Sequence, residues 1–275
     1  MATKKFKCKV CGYVHEGDKA PEKCPVCQAP ASEFEEITED APAKKKGLNT
    51  NSNTYTIVYA AVMVIVVAFL LAFVNASLKS KQEENIKQDT KKQILAALNI
   101  REVGDVNGTY SKVVKEDRLI TPDGELGEVV DDKDFATSYE KEVKDNNRVH
   151  IFVCDIDGQT KYVIPVYGVG LWGAIWGYVA LNDDKNTVYG TYFSHSGETP
   201  GLGAEIATEM FQKEFIGKHA LNENEIALSV VKNGKAKENP EFYVDGISGG
   251  TITSNGVDAM LKNSMSNYIK FLTKK

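Results

Sequence analysis

Tyr55 to Ala76 read YTIVYAAVMVIVVAFLLAFVNA, a run without one charged side chain. About 20 apolar residues suffice for a helix to cross a hydrocarbon core of roughly 30 Å. Tyr55 and Tyr59 stand at one end, where aromatic rings settle at a membrane–water interface. The run is too long for the core of a signal peptide, and a complete cysteine motif precedes it. Its length without charge also sets it apart from a buried helix of a soluble core.

Working outward from this span, five segments are expected: a small cysteine-bearing domain over residues 1–37, a polar linker over 38–54, the transmembrane helix over 55–76, a juxtamembrane helix over 77–99 and a folded domain over 100–275. The positive-inside rule does not orient the span, because Lys44, Lys45 and Lys46 precede it while Lys79, Lys81, Lys87, Lys91 and Lys92 follow. The span carries no carboxylate that could serve an ion path.

Composition narrows the function classes. The net charge is -5, and no basic stripe interleaved with aromatics is present, so no nucleic-acid partner is expected. Of the five cysteines, Cys8, Cys11, Cys24 and Cys27 cluster near the N-terminus and Cys154 stands alone, which is no disulfide framework. Cys154 is expected to be a small buried residue.

After the span, Ile86, Ile94, Leu95 and Leu98 suggest a helix that docks late. RVHIFVCDI, KYVIPVYG, WGYVAL, TVYGTYF and IALSVVK read as strands. Ala204 to Phe215 carries Ile206, Met210, Phe211 and Phe215 at helical spacing. Val257 to Leu272 predicts a closing helix with Met260, Leu261, Met265, Tyr268, Ile269 and Leu272 on one broad face. The order is that of an α+β domain: the fold class is a single transmembrane helix followed by an α+β domain and preceded by a small metal-knuckle domain.

Cys8-x2-Cys11 and Cys24-x2-Cys27 are two knuckles that can present four thiolates to one ion. Spacing alone admits zinc or iron. CKVCGYVHEG and APEKCPVC, with Gly12 after the first knuckle and Pro25 inside the second, resemble the rubredoxin-type domain found at the end of rubrerythrins. Phe6, Tyr13 and Phe34 resemble the aromatics beside such a centre. The resemblance implies one iron cycling between ferrous and ferric states, with zinc as the alternative. Gln28 departs from the pattern, standing where glycine usually follows the fourth ligand.

Gly168-x-Gly170-x-x-Gly173 matches the dinucleotide fingerprint in letters only, because the following LWGAIWGYVAL reads as strand and no acidic residue stands at the required distance. His15, His150, His195 and His219 have no mutual metal spacing, and His195 is expected to be a solvated loop residue. No acid/base pair or nucleophile elbow occurs, so no catalytic residue is assigned.

Asp245 to Val257, DGISGGTITSNGV, is a Gly/Ser/Thr stretch leading into the last helix. Unpaired N–H groups at a helix start favour an anion, and small residues let it approach. Ser254 or Asn255 is expected to cap that helix. The stretch resembles the D-G-x-S/T-G-A-T attachment motif of covalent FMN-binding domains, in which a flavin transferase esterifies the final threonine to the FMN phosphate. The matching residue is Thr251, within Ser248, Gly249 and Gly250, while Thr253 is a neighbour. Gly250 stands where alanine is usual.

HSGETPGLGAEI resembles the ETPGLG signature of the same domains, which implies that Glu198, Thr199 and Leu202 line the flavin. GVGLWGAIW resembles the G-L-W segment of the C-subunit family of Na⁺-translocating NADH:quinone reductases, which implies that Trp172 flanks the flavin. That family implies a redox subunit of a cytoplasmic (inner) membrane complex. Its FMN would be covalent on Thr251 outside the membrane, relaying electrons between an iron–sulfur centre and another subunit's flavin. Residues 1–54 would lie in the cytoplasm. The partners implied are the other subunits, a flavin transferase and the membrane itself. The related G subunit of Rnf complexes, a ferredoxin:NAD⁺ oxidoreductase, shares ETPGLG and the threonine motif but typically lacks G-L-W. A non-redox membrane anchor with a zinc knuckle is the alternative of another class.

Overall fold

The computed structural model describes residues 4–37, 50, 52–130 and 149–274. Most of the expected linker 38–54, and Arg148 at the start of one expected strand, lie outside these residues. The chain forms two compact units, Met1–Val74 and Asn75–Lys275.

In the first unit, β1 (Lys5–Cys8) lies between β2 (Val14–Glu16) and β3 (Phe34–Ile37) in an antiparallel sheet. Alternation along β1 turns Phe6 and Cys8 inward and Lys5 and Lys7 outward. A single helix, α1, runs through Asn53–Ala97. It fuses the expected 55–76 and 77–99 segments because neither glycine nor proline interrupts them. Among the described residues it is the one helix long and apolar enough to cross a membrane. It ends in a Schellman motif: Asn99 takes φ 63, its N–H donates to Ala96 O, and the Ile100 N–H donates to Leu95 O at 2.9 Å.

The second unit is built on a six-stranded antiparallel sheet in the order β5-β4-β6-β7-β8-β9. Its strands are β4 (Val114–Ile120), β5 (Leu126–Val129), β6 (Val149–Ile156), β7 (Gln159–Val169), β8 (Ala174–Leu181) and β9 (Val188–His195). The helix α2 (Val106–Val113) precedes them, its N-terminus held by Asp105, which accepts from the Gly108 N–H. After β9 come α3 (Glu209–Lys213), a two-residue hairpin β10 (Leu221–Asn222) and β11 (Glu225–Ile226), a parallel pair β12 (Ser229–Val231) and β13 (Tyr243–Asp245), then α4 (Thr251–Ser266) and α5 (Ile269–Thr273).

Alternation gives the sheet two apolar faces. On one, Ile94, Leu95, Ala97 and Leu98 from the end of α1 join Tyr110 and Val113 of α2 over Phe152, Cys154, Val163 and Ala180. On the other, Val257, Met260, Leu261 and Met265 of α4, with Tyr268, cover Ile151, Ile164, Val166, Ile175 and Val179. Each such large apolar side chain contributes about 1.5–3 kcal/mol when fully buried. Cys154 is enclosed here, and burial pushes its thiol up, so it is unreactive.

The edge strand β9 is closed by side chains. Asn99 donates to Tyr189 O, Arg101 to Thr191 O and Gln212 to Phe193 O, so three outward carbonyls have partners. This blocks edge pairing and fixes the strand that leads into the His195–Ile206 loop.

Two helical expectations are revised. Thr208 breaks Ala204–Phe215 into a 3-10 turn (Gly203–Ala207) and α3, which Thr208 caps by accepting from Phe211 N–H. The register resets there, so Met210 is 76% exposed while Ile206, Phe211 and Phe215 are buried. The closing helix begins at Thr251, six residues before the expected start at Val257, and breaks before Ile269.

Candidate functional site

The cysteine cluster comes from two equivalent turns. Cys8 N–H donates to Tyr13 O and Gly12 N–H to Cys8 O in the first; Cys24 N–H donates to Ala29 O and Gln28 N–H to Cys24 O in the second. Each turn needs a left-handed residue, Gly12 at φ 79 and Gln28 at φ 61. Gln28 therefore holds a conformation that costs an L-residue about 1–2 kcal/mol. The four sulfur atoms lie within 4.8 Å of one another, with Cys8–Cys27 at 3.7 Å and Cys11–Cys24 at 3.5 Å. A tetrahedral ion with bonds of about 2.3 Å has sulfur–sulfur edges of about 3.8 Å. The cage already has the size of an S₄ ion site.

Its electrostatics fit a cation. Burial acts to raise the Cys24 thiol, but the Cys27 and Val26 N–H groups, then Cys11 and Cys27, bring it down to about 7. The Ala29 N–H acts to lower Cys27, yet desolvation and the other three thiols push it up to about 12. One thiolate forms readily and the next is resisted, an arrangement that a bound cation relieves. Phe6, Tyr13 and Phe34 are partly buried in the same unit.

The second site gathers around the start of α4. Asp245, at the end of β13, accepts from the Ala236 N–H and anchors the approach. Gly249 takes φ 78, which turns the chain toward the helix. Gly250 occupies the N-cap position without a side-chain cap. Ser254 and Asn255 are both inside the helix rather than before it. Ser254 instead accepts from Ile247 N–H and donates to Gly250 O, bracing the turn from below.

Thr251 is the first helical residue and is exposed. The first intrahelical bond is Ser254 N–H to Gly250 O, so the N–H groups of Thr251, Ile252 and Thr253 precede the ladder and have no intrahelical partner. A phosphate on the Thr251 hydroxyl fits such a helix start.

Gly256 sits within α4, where a Cβ would lie 2.5 Å from Val169 O. The glycine lets α4 meet β7 backbone to backbone, and the Thr253–Glu198–Trp172 bonds tie the start of α4 to the β7–β8 turn. Gly168, Gly170 and Gly173 belong to this hairpin, where no helix follows, so the dinucleotide fingerprint is structurally absent.

Trp172, in that turn, is 68% exposed. Leu202 is exposed and lies next to Gly249 and Gly250, whose added Cβ atoms would be 2.8 Å from its Cδ2 and 3.2 Å from its carbonyl carbon. Val169, Leu171 and Ile252 are likewise exposed apolar side chains. Exposed apolar side chains of this kind suit a flat, largely apolar ring system better than water.

Thr199 is exposed, and its carbonyl accepts from the Leu202 and Ala204 N–H groups. Ser248 is exposed in the turn before Gly249. Glu198 and Thr253 are both buried. Thr253 donates its hydroxyl to Glu198 Oε2 at 2.7 Å, and the Trp172 N–H donates to Glu198 Oε1 at 2.9 Å. His195 is not a freely solvated loop residue: it ends β9 and its Nδ1 accepts from the Glu198 N–H. Sequence reading missed this link, although the glycines at 170 and 203 that make room for Glu198 were visible within the two signatures.

Residues 170–266 match the FMN-binding domain family, and residues 6–35 match the rubrerythrin, rubredoxin-like domain. The C subunit of the Na⁺-translocating NADH-quinone reductase of Haemophilus ducreyi is 36% identical over 207 residues, 67% of this chain and 79% of that protein. Its counterpart from Vibrio anguillarum is 35% identical over 201 residues, 66% and 77% of the two chains. Among solved structures, the C subunit of the same reductase from Parabacteroides distasonis is 45% identical with a TM-score of 0.66, covering 72% of this chain and 98% of that one. The NqrC of Shewanella oneidensis is 26% identical with a TM-score of 0.56 and coverages of 69% and 98%. With the sheet, the threonine helix and the metal knuckles in place, the chain belongs to the NqrC family, the C subunits of Na⁺-translocating NADH-quinone reductases, here joined to an N-terminal rubredoxin-like domain.

Proposed function

We propose that this chain is the flavin-carrying electron-transfer subunit of a Na⁺-translocating NADH–quinone reductase, with FMN esterified through its phosphate to the Thr251 hydroxyl. The observation that carries the assignment is the contrast between two threonines. Thr251 is exposed at the open N-terminus of α4, while Thr253 is buried with its hydroxyl committed to Glu198. Only the first can accept a phosphate without dismantling the site.

FMN held at Thr251, Trp172 and Leu202 would supply one-electron chemistry suited to a relay between an iron–sulfur centre and another subunit's flavin. The chain's own work is to bind and orient. The α4 N–H groups meet the phosphate, and Trp172, Leu202 and Ile252 bound the ring. No proton-transferring side chain is required. Covalent attachment suits a domain outside the cytoplasmic membrane, where a lost flavin is not readily replaced, and the attachment is made by a flavin transferase. Na⁺ coupling belongs to the whole complex.

Cys8, Cys11, Cys24 and Cys27 would hold one iron, with zinc, which accepts the same four thiolates but carries no redox chemistry, as the competitor. The thiolate site suits the cytoplasm, a reducing compartment, where it exchanges electrons with the NADH-oxidising side of the complex. Denaturing-gel fluorescence tests the flavin assignment: the wild type fluoresces and Thr251→Ala does not. Retained fluorescence in Thr251→Ala, with loss in Thr253→Ala, moves the linkage to Thr253.

A further inference from the structure

Glu198 is 5% exposed, and both its carboxylate oxygens are spent. Oε1 accepts from the backbone N–H of Trp172, and Oε2 accepts from the hydroxyl of Thr253. The space it fills is made by two glycines. A Cβ on Gly170 would lie 2.4 Å from Oε1, and one on Gly203 would lie 2.4 Å from both Oε2 and Thr253 Oγ1. The backbone of Glu198 is held in turn, its N–H donating to His195 Nδ1 at the end of β9.

We propose that Glu198 is the positioning residue of this face, an acceptor-only clasp that locks the Trp172 turn and the first turn of α4 to the 198–203 loop. The inference rests on the reading that Trp172 and Thr251 flank one flavin, and it gives Glu198 a role beneath the ring rather than against it. The three segments are far apart in sequence and share no ladder at this point. Trp172 has a solvent-exposed side chain, so its turn is fixed from the backbone: Gly170 N–H to Gly173 O on one side and Trp172 N–H to Glu198 on the other. Thr253, two residues beyond Thr251, ties the helix start to the same carboxylate.

The chemistry selects a carboxylate, because both partners are donors. Glutamine offers one acceptor oxygen and an NH₂. With the oxygen toward Trp172 N–H and the NH₂ toward Thr253, whose hydroxyl can rotate to accept, the clasp survives in weaker form. Alanine removes both acceptors. Thr253→Val removes only the donor to Oε2.

The test uses the full chain expressed with its flavin transferase, reading amide hydrogen exchange at Trp172 and the fraction of protein carrying covalent flavin. Trp172 exchange is expected to be at least tenfold faster in Glu198→Ala and within a few-fold of wild type in Glu198→Gln and Thr253→Val. Flavin loading is expected to fall several-fold in Glu198→Ala and to be rescued by Glu198→Gln. Unchanged Trp172 exchange in Glu198→Ala overturns the clasp, as does full flavin loading in that variant. If Glu198→Ala does not fold, Glu198→Gln and Thr253→Val decide: loss of Trp172 protection in Thr253→Val, where the Trp172 bond should remain, overturns the proposal. A wild type without covalent flavin sinks the Thr251 assignment instead, and Trp172 exchange still reads the clasp.

Discussion

Gly256→Ala tests how the flavin face is held together. In an isolated helix the change is favourable, since alanine exceeds glycine by about 1 kcal/mol in helix propensity. Here the new Cβ would lie 2.5 Å from Val169 O, 3.2 Å from Gly170 Cα and 3.3 Å from the Val169 carbonyl carbon. All three atoms are backbone, so no side-chain rotation relieves the contact. Either α4 lifts away from β7 or the end of β7 shifts, in a region whose other contacts include buried Val257 and Met260. Overpacking of this kind costs about 1–3 kcal/mol and more when only backbone can yield. Because only backbone can yield, the cost lies toward the upper end, about 2–3 kcal/mol, and set against the propensity gain the net loss is about 1–2 kcal/mol. For a domain of this size each kcal/mol corresponds to about 2–4 °C in Tm.

The assay is intrinsic tryptophan fluorescence during thermal unfolding of the detergent-solubilised chain. Its two tryptophans, Trp172 and Trp176, both lie in the sheet-bearing unit, so the signal reports that unit alone. Lifting α4 also strains the Thr253–Glu198 bond in its first turn, so, on the proposed Thr251 linkage, covalent flavin should fall together with Tm. A Tm equal to or above wild type would show that the close α4–β7 approach is not what requires glycine at this position.

Two further outcomes concern the metal knuckles. Gln28→Gly removes a left-handed L-residue, and relief of about 1 kcal/mol should slow metal loss to a chelator several-fold; faster loss would mean that the glutamine side chain supports the turn. The Cys24 thiol lies below its ordinary value, at about 7. Its contribution to the folded, metal-binding state is fully present above its ordinary value, near 9, and is lost as pH falls through about 7. Metal affinity should therefore fall as pH drops through 7, and binding at pH 8 should release protons, chiefly from Cys27 at about 12. Affinity that is flat from pH 8 to pH 6 would refute this.

Local patterns in the sequence carried much of the architecture. The charge-free run from Tyr55 to Ala76 needs no partner to be read, because crossing a membrane is a matter of length and apolarity. The paired Cys-x2-Cys knuckles are equally local, since each turn aims its own two thiols. Strands β6 to β9 were legible because they are short runs rich in β-branched and aromatic residues, separated by Asp, Asn and Gly turn residues. What misled was DGISGGTITSNGV, where glycine and hydroxyl residues have weak helix propensity and the expected helix began only at Val257. Tertiary contact makes half of that stretch helical: Ser254 braces Ile247 and Gly250, and Gly256 is the one residue that fits against Val169. Glu198 was found by its motif, but its orientation was beyond any local pattern. Its two partners lie 26 and 55 positions away in sequence, and only the folded sheet brings them to one carboxylate. Sequence by itself determined that there is a span, a four-thiol cage and a threonine loop at a helix start. Tertiary structure decided which threonine is open and which is spent, because exposure of a hydroxyl depends on what packs above it.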